Sequence, residues 1–471
     1  MTSERQSCPL PLDYEELTGY AGTHKRRCAV ARPVSVEDCV KLVEWCQAQS
    51  RQLCPRGSGL SYGDSALHAD AIVVDLSGMN AITRWDLSSG VLTAEAGVTL
   101  AKVMETTLPD HWNLTAIPGT GELTLGGAIA NDVHGKDGTH AGNFNEQIIS
   151  MDLITPDGSM VTVTPKDHTL FQATIGGLGL TGIIARATLQ LKAIPSPYIR
   201  TQIRVTQNLE ATCKELKKAA AGSDFAIAWL DAFAKGKALG RGYVQRGDWD
   251  DAEPTDTDGS TPHYGKPTRV LWLFPVALFW PLARPFCNRI SFRMVNALYF
   301  ALMRSRHGKS PQSSRLHFFH FNFLHNRIPE FRHIYGVRGF VEIQPLIPER
   351  HGAEGVAKVL KLCQKHGKES YLCGLKYHNT TGGMLSFAGK GFSFGIDVAT
   401  PRGGQAGMQD FLDELFALLR SLGASVHLAK DYSMAREDAQ YLVAARQQFM
   451  DIRRDLDPNR MLISDMSERL F

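Results

Sequence analysis

The stretch PGTGELTLGGAIANDVHGKDGTHAG, residues 118–142, carries seven glycines, two histidines and one lysine. Glycine lets main-chain N–H groups approach an anion closely and tolerates positive φ, so such a run suits a pyrophosphate cradle as well as a tight surface loop. Two further runs decide between these readings: RGSGLSYGDSA (56–66) precedes it, and GGLGLTGII (176–184) leads into a strand. Three glycine-rich passages with strands between them read as one long ligand laid across one domain. The first run is neither GxGxxG at the head of a βαβ unit nor GxxxxGK[ST], so a Rossmann site and a P-loop both fit poorly.

Around these runs the chain reads as a globular protein of two or three domains, with 471 residues and 43% hydrophobic side chains. A net charge of +3 against 99 charged groups (51 basic, 48 acidic) gives no reason to expect nucleic acid. Nine scattered cysteines without a CxxC pair imply reduced thiols, no metal centre and a cytoplasmic setting. MTSERQSCPLPLDYEEL lacks the apolar core of a secretory signal.

Ser35 followed by Val36, Cys39, Val40, Val43 and Cys46 predicts a capped amphipathic helix over 35–49. Strands are expected at 71–77 and 91–97, a helix at 99–109, and a strand after Gly182 in which Arg186, Thr188 and Gln190 alternate with Ala187 and Leu189. PSPY (195–198) marks a domain boundary, residues 248–267 a polar mobile loop, and 339–347 and 391–400 further strands. A last amphipathic helix over 408–422 leads into VHLAKD. The apolar run VLWLFPVALFWPLARPF (270–286) is broken by Pro275, Pro281, Arg284 and Pro285 before it reaches the ~20 residues of a spanning helix. With Arg289, Arg293 and Arg304 it suits a lid resting on an anionic membrane, or equally a core or dimer-packing surface.

RGSGLSYGDSA, PGTGELTLGGAIANDVHGKDGTHAGNF, SMDLITPDG (150–158) and GGLGLTGIIARATL together resemble the FAD-binding domain of the vanillyl-alcohol oxidase superfamily. The likeness continues through WLDAFAKGKALGRGYVQRG (229–247), IYGVRGFVEIQPLIP (334–348), LKYHNTTGGMLSFAGKGFSFGIDV (375–398), LAKD (428–431) and DPNRMLISDMSERL (457–470). These resemble its sugar-oxidising branch, the decaprenylphosphoryl-β-D-ribose oxidase family. The resemblance implies an α+β, two-domain fold: an FAD-binding domain of PCMH type (1–196), a substrate domain with an antiparallel sheet and the lid 270–304 (197–424), and a segment returning to the first domain (425–471).

It implies that Pro55, Arg56, Gly57, Ser58, Gly59, Leu60, Ser61, Tyr62, Gly63, Asp64 and Ser65 wrap the FAD pyrophosphate. Gly119, Thr124, Leu125, Gly126, Gly127, Asn131, Asp132, Val133, His134 and His427 would line the rest of the cofactor, with Ile184 beside the adenine. Leu60 stands where relatives often carry a flavin-linking histidine, which leaves His134 as a linking residue, but the resembled family holds its flavin without a covalent bond, and the resemblance implies a non-covalent FAD here. Lys430 is the main catalytic candidate, as a cation that stabilises charge on the reduced flavin, with His134, Lys136 and His427 beside it. Gln344 and Lys376 would line the sugar pocket.

The sequence departs from that family at four pocket positions, with Gly395 for a cysteine, Ser393 for an asparagine, Glu342 for a glutamine and His427 for a tyrosine. The flavin site is therefore expected to be intact and the substrate to differ. The leading expectation is an FAD-dependent oxidation of a sugar or lipid-linked sugar at a secondary alcohol, with a separate NAD(P)H-dependent ketone reductase completing an epimerisation at the inner membrane face. The alternatives are a soluble aldonolactone or alditol oxidase, and a non-catalytic membrane-docked scaffold.

Overall fold

Ser35 accepts a hydrogen bond from Asp38 N and so starts the helix Val36–Ala48, whose Cys39, Leu42, Val43 and Cys46 are buried. They join a core with Leu53, Ile72 and Val74, from a four-stranded sheet ordered Asp13–Thr18, Lys25–Ala31, Ile72–Asp75, Leu53–Arg56. The computed structural model describes residues 7–252, 264–265, 269–270, 274–308, 313–323 and 330–471. Most of the loop expected at 248–267 lies outside these residues, and its first two positions finish the strand Gly242–Trp249.

A five-stranded antiparallel sheet follows, ordered Ile82–Asp86, Val91–Glu95, Ile183–Gln190, Ile148–Ile154, Met160–Val163. Alternation along Ile183–Gln190 buries Ala187 and Leu189 and leaves Arg186 and Thr188 partly wet. Beyond residue 197 an eight-stranded antiparallel sheet runs Ser313–His317, Tyr198–Thr206, Gly242–Trp249, Phe225–Leu230, Cys373–Thr380, Gly389–Phe394, Pro345–Pro348, Ser425–Val426. The helices Leu209–Gly222, Gly352–His366 and Gln409–Ser421 bury their apolar stripes in one core with it. The first sheet is mixed, with Ile72–Asp75 parallel to both Lys25–Ala31 and Leu53–Arg56, and helices packed on it and on the separate antiparallel sheets make this an α+β fold.

Two expected strands each divide in two, and the break positions the site. The first is split at Gln344 into Phe340–Ile343 and Pro345–Pro348, the second at Gly395 into Gly389–Phe394 and Ile396–Ala399. In both, the second and first halves belong to different sheets: Phe340–Ile343 pairs with Ile396–Ala399 alone, and the other halves join the large sheet. A strand that leaves one sheet for another exposes its switch point, and here the two switch points face one cavity.

The C-terminal residues return to the first sheet. Leu53 N donates to Met461 O (2.8 Å) and Ile463 N to Leu53 O (2.9 Å). Within the expected lid, Val276–Ala283 and Arg289–His307 are helices. Phe292 stacks on Tyr371 with centroids 4.3 Å apart, whereas Leu278, Leu282, Ile290, Met294 and Leu298 are exposed. Among the described residues, no helix is long and apolar enough to cross a membrane. All nine cysteines are unpaired thiols.

Candidate active site

One cavity of about 970 Å³ runs between the glycine loops and the large sheet. Its wall includes Pro55, Arg56, Gly57, Ser58, Gly59, Leu60, Ser61, Tyr62, Ser65, Gly119, Thr124, Gly126, Gly127, Asn131, Val133, His134, Ile184 and His427. Gly57 is needed for the close approach of the first two loops, since a Cβ there would lie 3.2 Å from Thr124 Cβ. Ser58 Oγ then donates to Glu122 O (2.6 Å), and Tyr62 N to Ala429 O (2.7 Å). Among the described residues, none of the N–H groups of 58–61 donates to a main-chain carbonyl. A loop of unspent amide donors beside a long cavity fits the diphosphate of FAD.

Four expected cofactor residues are absent from this wall. Gly63 abuts Asp431, whose carbonyl oxygen would be 2.8 Å from a Cβ. Asp64 is buried against Arg469, and Leu125 is in the core. Asp132 points away from the space to accept from Asn145 N (3.0 Å) and Asn143 Nδ2 (3.2 Å), and burial raises its carboxyl to about 6. These four act on the shape of the loops.

At the other end Lys430 Nζ donates to Glu342 Oε1 (2.6 Å) and lies 4.7 Å above the Tyr62 ring. His134 sits between Lys376 Nζ, 3.4 Å from its Nδ1, and Gln344 Nε2, 3.4 Å from its Nε2. His427 stacks on Phe387 with centroids 5.0 Å apart. Burial, then neighbouring cations and histidines, holds His134 and His427 far below the usual histidine range, so both are neutral at pH 7. Burial and the nearby Lys430 lower Lys376 to about 8.

Two expected site residues take other places. Ser393 is fully buried behind the wall, its Oγ 3.2 Å from Gln344 Nε2 and 2.6 Å from His378 Nε2. Lys136 lines the cavity, but its ammonium donates to the carbonyls of Phe321 (2.7 Å) and Asn322 (2.9 Å) and so pins the aromatic segment 318–323. Glu342, Gln344, Lys376 and Gly395 all face the cavity.

Asp397 lines the cavity and was not anticipated; it stands two residues beyond Gly395, in the half-strand Ile396–Ala399. His378, also not anticipated, lies behind the wall, where its Nε2 meets Ser393 Oγ and its ring is edge-on to His134 with centroids 4.8 Å apart. A third cluster, His68 with Asp465 and Glu468, has metal-like spacing. However, His68 Nδ1 accepts from Asp70 N (3.2 Å) and Ala71 N (3.1 Å), which leaves the proton on Nε2, facing Glu468. A protonated nitrogen is a donor and no metal ligand.

Residues 28–164 match the FAD binding domain family. With the donor loop and cavity just described, this makes the chain an FAD-dependent oxidoreductase, whose cofactor, FAD, accepts a hydride. It is 28% identical to the decaprenylphosphoryl-β-D-ribose oxidase of Mycolicibacterium smegmatis, across 98% of both chains. It is 22% identical to the L-gulono-1,4-lactone dehydrogenase of Mycobacterium tuberculosis, over 94% of this chain and 96% of that one. A mitochondrial L-galactono-1,4-lactone dehydrogenase of Oryza sativa matches at 32% identity, over 39% of this chain and 31% of its own. Similarity to these enzymes, with the matched FAD binding domain, supports an FAD-dependent oxidoreductase against the non-catalytic scaffold.

Proposed function

We propose that the chain oxidises a secondary alcohol of a polyprenyl-phosphate-linked pentose, at its 2′-hydroxyl, as the oxidase half of an epimerisation that a separate NAD(P)H-dependent ketone reductase completes. The observation that carries this reading is the mixed lining of the cavity. Besides Lys430 and Gln344 its wall includes the apolar and aromatic Ile203, Ile227, Trp229, Tyr299, Leu302 and Met303, with Arg306 and His307. A sugar suits the polar groups, an isoprenoid chain the apolar ones, and a phosphate the cations.

In this reading the chain has the two-domain vanillyl-alcohol-oxidase arrangement, with 425–471 returning to the FAD-binding half. The exposed face of 276–307 rests on an anionic membrane surface at the inner face of the cell membrane, from which a lipid substrate enters. The test is anaerobic reduction of the bound flavin by a polyprenyl-phosphate-linked ribofuranose, D-arabinitol and L-gulono-1,4-lactone. Bleaching by the lipid-linked sugar alone supports the reading. Faster bleaching by the lactone supports the second reading, an aldonolactone or alditol oxidase, which the end-to-end similarity to a lactone dehydrogenase favours.

A further inference from the structure

We propose that Glu342 and Asp397 form a working carboxyl pair, in which Glu342 takes the hydroxyl proton of the alcohol being oxidised and Asp397, as the neutral acid, donates a hydrogen bond to a substrate oxygen. The proposal rests on the reading of the chain as a sugar-alcohol oxidase and names its proton acceptor.

The two residues are directly opposite each other in the register of Phe340–Ile343 and Ile396–Ala399, so their side chains share one face. Both line the cavity. Asp397 is only 7% exposed, and its Oδ2 accepts from Tyr335 Oη (3.1 Å) and Ser370 Oγ (3.2 Å). Its Oδ1 meets no donor, and the Glu342 carboxyl is itself within hydrogen-bonding reach of Asp397. An anionic oxygen left bare in such a place is costly, and a proton on Oδ1 removes the cost. Burial first, then the adjacent Glu342, pushes the Asp397 carboxyl well above the usual range, against the pull of Lys430 and Tyr335.

Gly395 shows where the substrate group goes. A Cβ built there would stand 2.9 Å from Glu342 Oε1 and 3.5 Å from Asp397 Oδ1. Both oxygens therefore border one small space, which glycine keeps open, and Lys430 Nζ reaches the same Glu342 oxygen at 2.6 Å. The groups facing the pair are Lys430, Tyr62, Tyr335 and Ser370, with Lys376 further off. Of the remaining candidates, Lys430 is already a donor to Glu342, and His134 and His427 are weak bases.

The step balances. FAD, when held by the glycine loops, would supply the two-electron acceptor for the hydride of the carbinol C–H bond. At this chain's own residues the O–H bond breaks with the proton going to Glu342 as the C=O double bond forms, so the alcohol would lose two electrons and the cofactor would gain them. Protonation of Glu342 releases the Lys430 ammonium from its ion pair at the moment negative charge appears elsewhere in the site.

The experiment compares FAD-loaded wild type, Glu342→Gln and Asp397→Asn, each checked for thermal unfolding and flavin retention. The probe is whichever of the three compounds above reduces the wild type. Glu342→Gln is expected to slow the limiting rate of flavin reduction about 100-fold or more while the dissociation constant moves less than about threefold, and its residual rate rises with pH as hydroxide replaces the base. Asp397→Asn, close in shape to the neutral acid, is expected to weaken binding about tenfold and keep the limiting rate within about threefold. A wild-type limiting rate in Glu342→Gln, or a loss confined to binding, overturns the proposal. Infrared difference spectra provide a readout that needs no substrate: a protonated-carboxyl band at neutral pH, lost in Asp397→Asn and shifted in Glu342→Gln. Absence of that band in the wild type also overturns the pair, whereas its presence with no bleaching by any probe supports the pair and counts against the substrate reading.

Discussion

Arg469 Nε and Nη2 grip the two carboxylate oxygens of Asp64, each at 2.9 Å, and Nη1 reaches Asp431 at 3.1 Å. Both carboxylates are buried, and one belongs to the first glycine loop while the other follows Lys430. Arg469→Met leaves two carboxylates without their cation, which costs about 3–5 kcal/mol for a broken buried pair. The expected result is a lower unfolding temperature and FAD binding weakened about tenfold or more, measured by thermal melts and flavin titration.

Lys430→Ala removes the ammonium over Tyr62 and opposite Glu342. Preorganised charge of this kind is worth about 10²–10³ in rate. Anaerobic stopped-flow should show flavin reduction slowed by that factor with the visible spectrum of bound FAD retained. Reduction at the wild-type rate would remove Lys430 from the chemistry.

Lys376 gives the site a pH dependence of known sign. Its pKa falls from 10.5 in the unfolded chain to about 8 in the folded one, so the folded protein binds its proton less well than the unfolded chain does. The cost to stability is full below pH 8 and fades between about 8 and 10.5. Lys376→Met should thus be more stable than the wild type at pH 7, on the order of 3 kcal/mol, an advantage that shrinks toward pH 10. In chemical melts, an advantage constant with pH would exclude this origin.

Both ring nitrogens of His134 have close side-chain neighbours, Lys376 and Gln344, and Leu60 has no nucleophile. Acid precipitation should therefore release yellow FAD into the supernatant. Colour retained in the pellet would mean a covalent bond, with His134 as its site.

Ile290, Met294, Leu298 and Leu302 repeat every four residues along the exposed side of Arg289–His307, and Leu298 is 73% exposed. Co-sedimentation with phosphatidylglycerol vesicles, but not with neutral phosphatidylcholine ones, is the expected behaviour, reduced by salt and by Leu298→Asp. Equal binding of the Leu298→Asp variant would place the contact elsewhere.

Much of the site was legible because its residues sit at local signals. The glycine loops show in composition, and Glu342, Gln344, Lys376, Gly395 and Lys430 fall within recognisable motifs. What stayed hidden is long-range. No local pattern tells that the strands at 339–347 and 391–400 change sheets at Gln344 and Gly395, because both runs are continuously apolar enough to read as single strands. Asp397 was missed for that reason, although it stands two residues beyond Gly395. Lys136 read as a cation for the reaction, since only the fold brings the carbonyls of Phe321 and Asn322 to it. Asp64 lies inside a cofactor-like loop, and its partner is 405 positions away.

That separation has a consequence for how the protein is made. Asp64 and the edge strand at Leu53 emerge from the ribosome long before Ile463 and Arg469, which complete them. At roughly 5–20 residues per second, 405 residues take roughly 20–80 s. Through that interval the cradle lacks the main-chain partners of Leu53 and its counter-ion, so the nascent chain must tolerate an unfinished edge on the first sheet, and FAD is taken up firmly only after synthesis has reached Arg469.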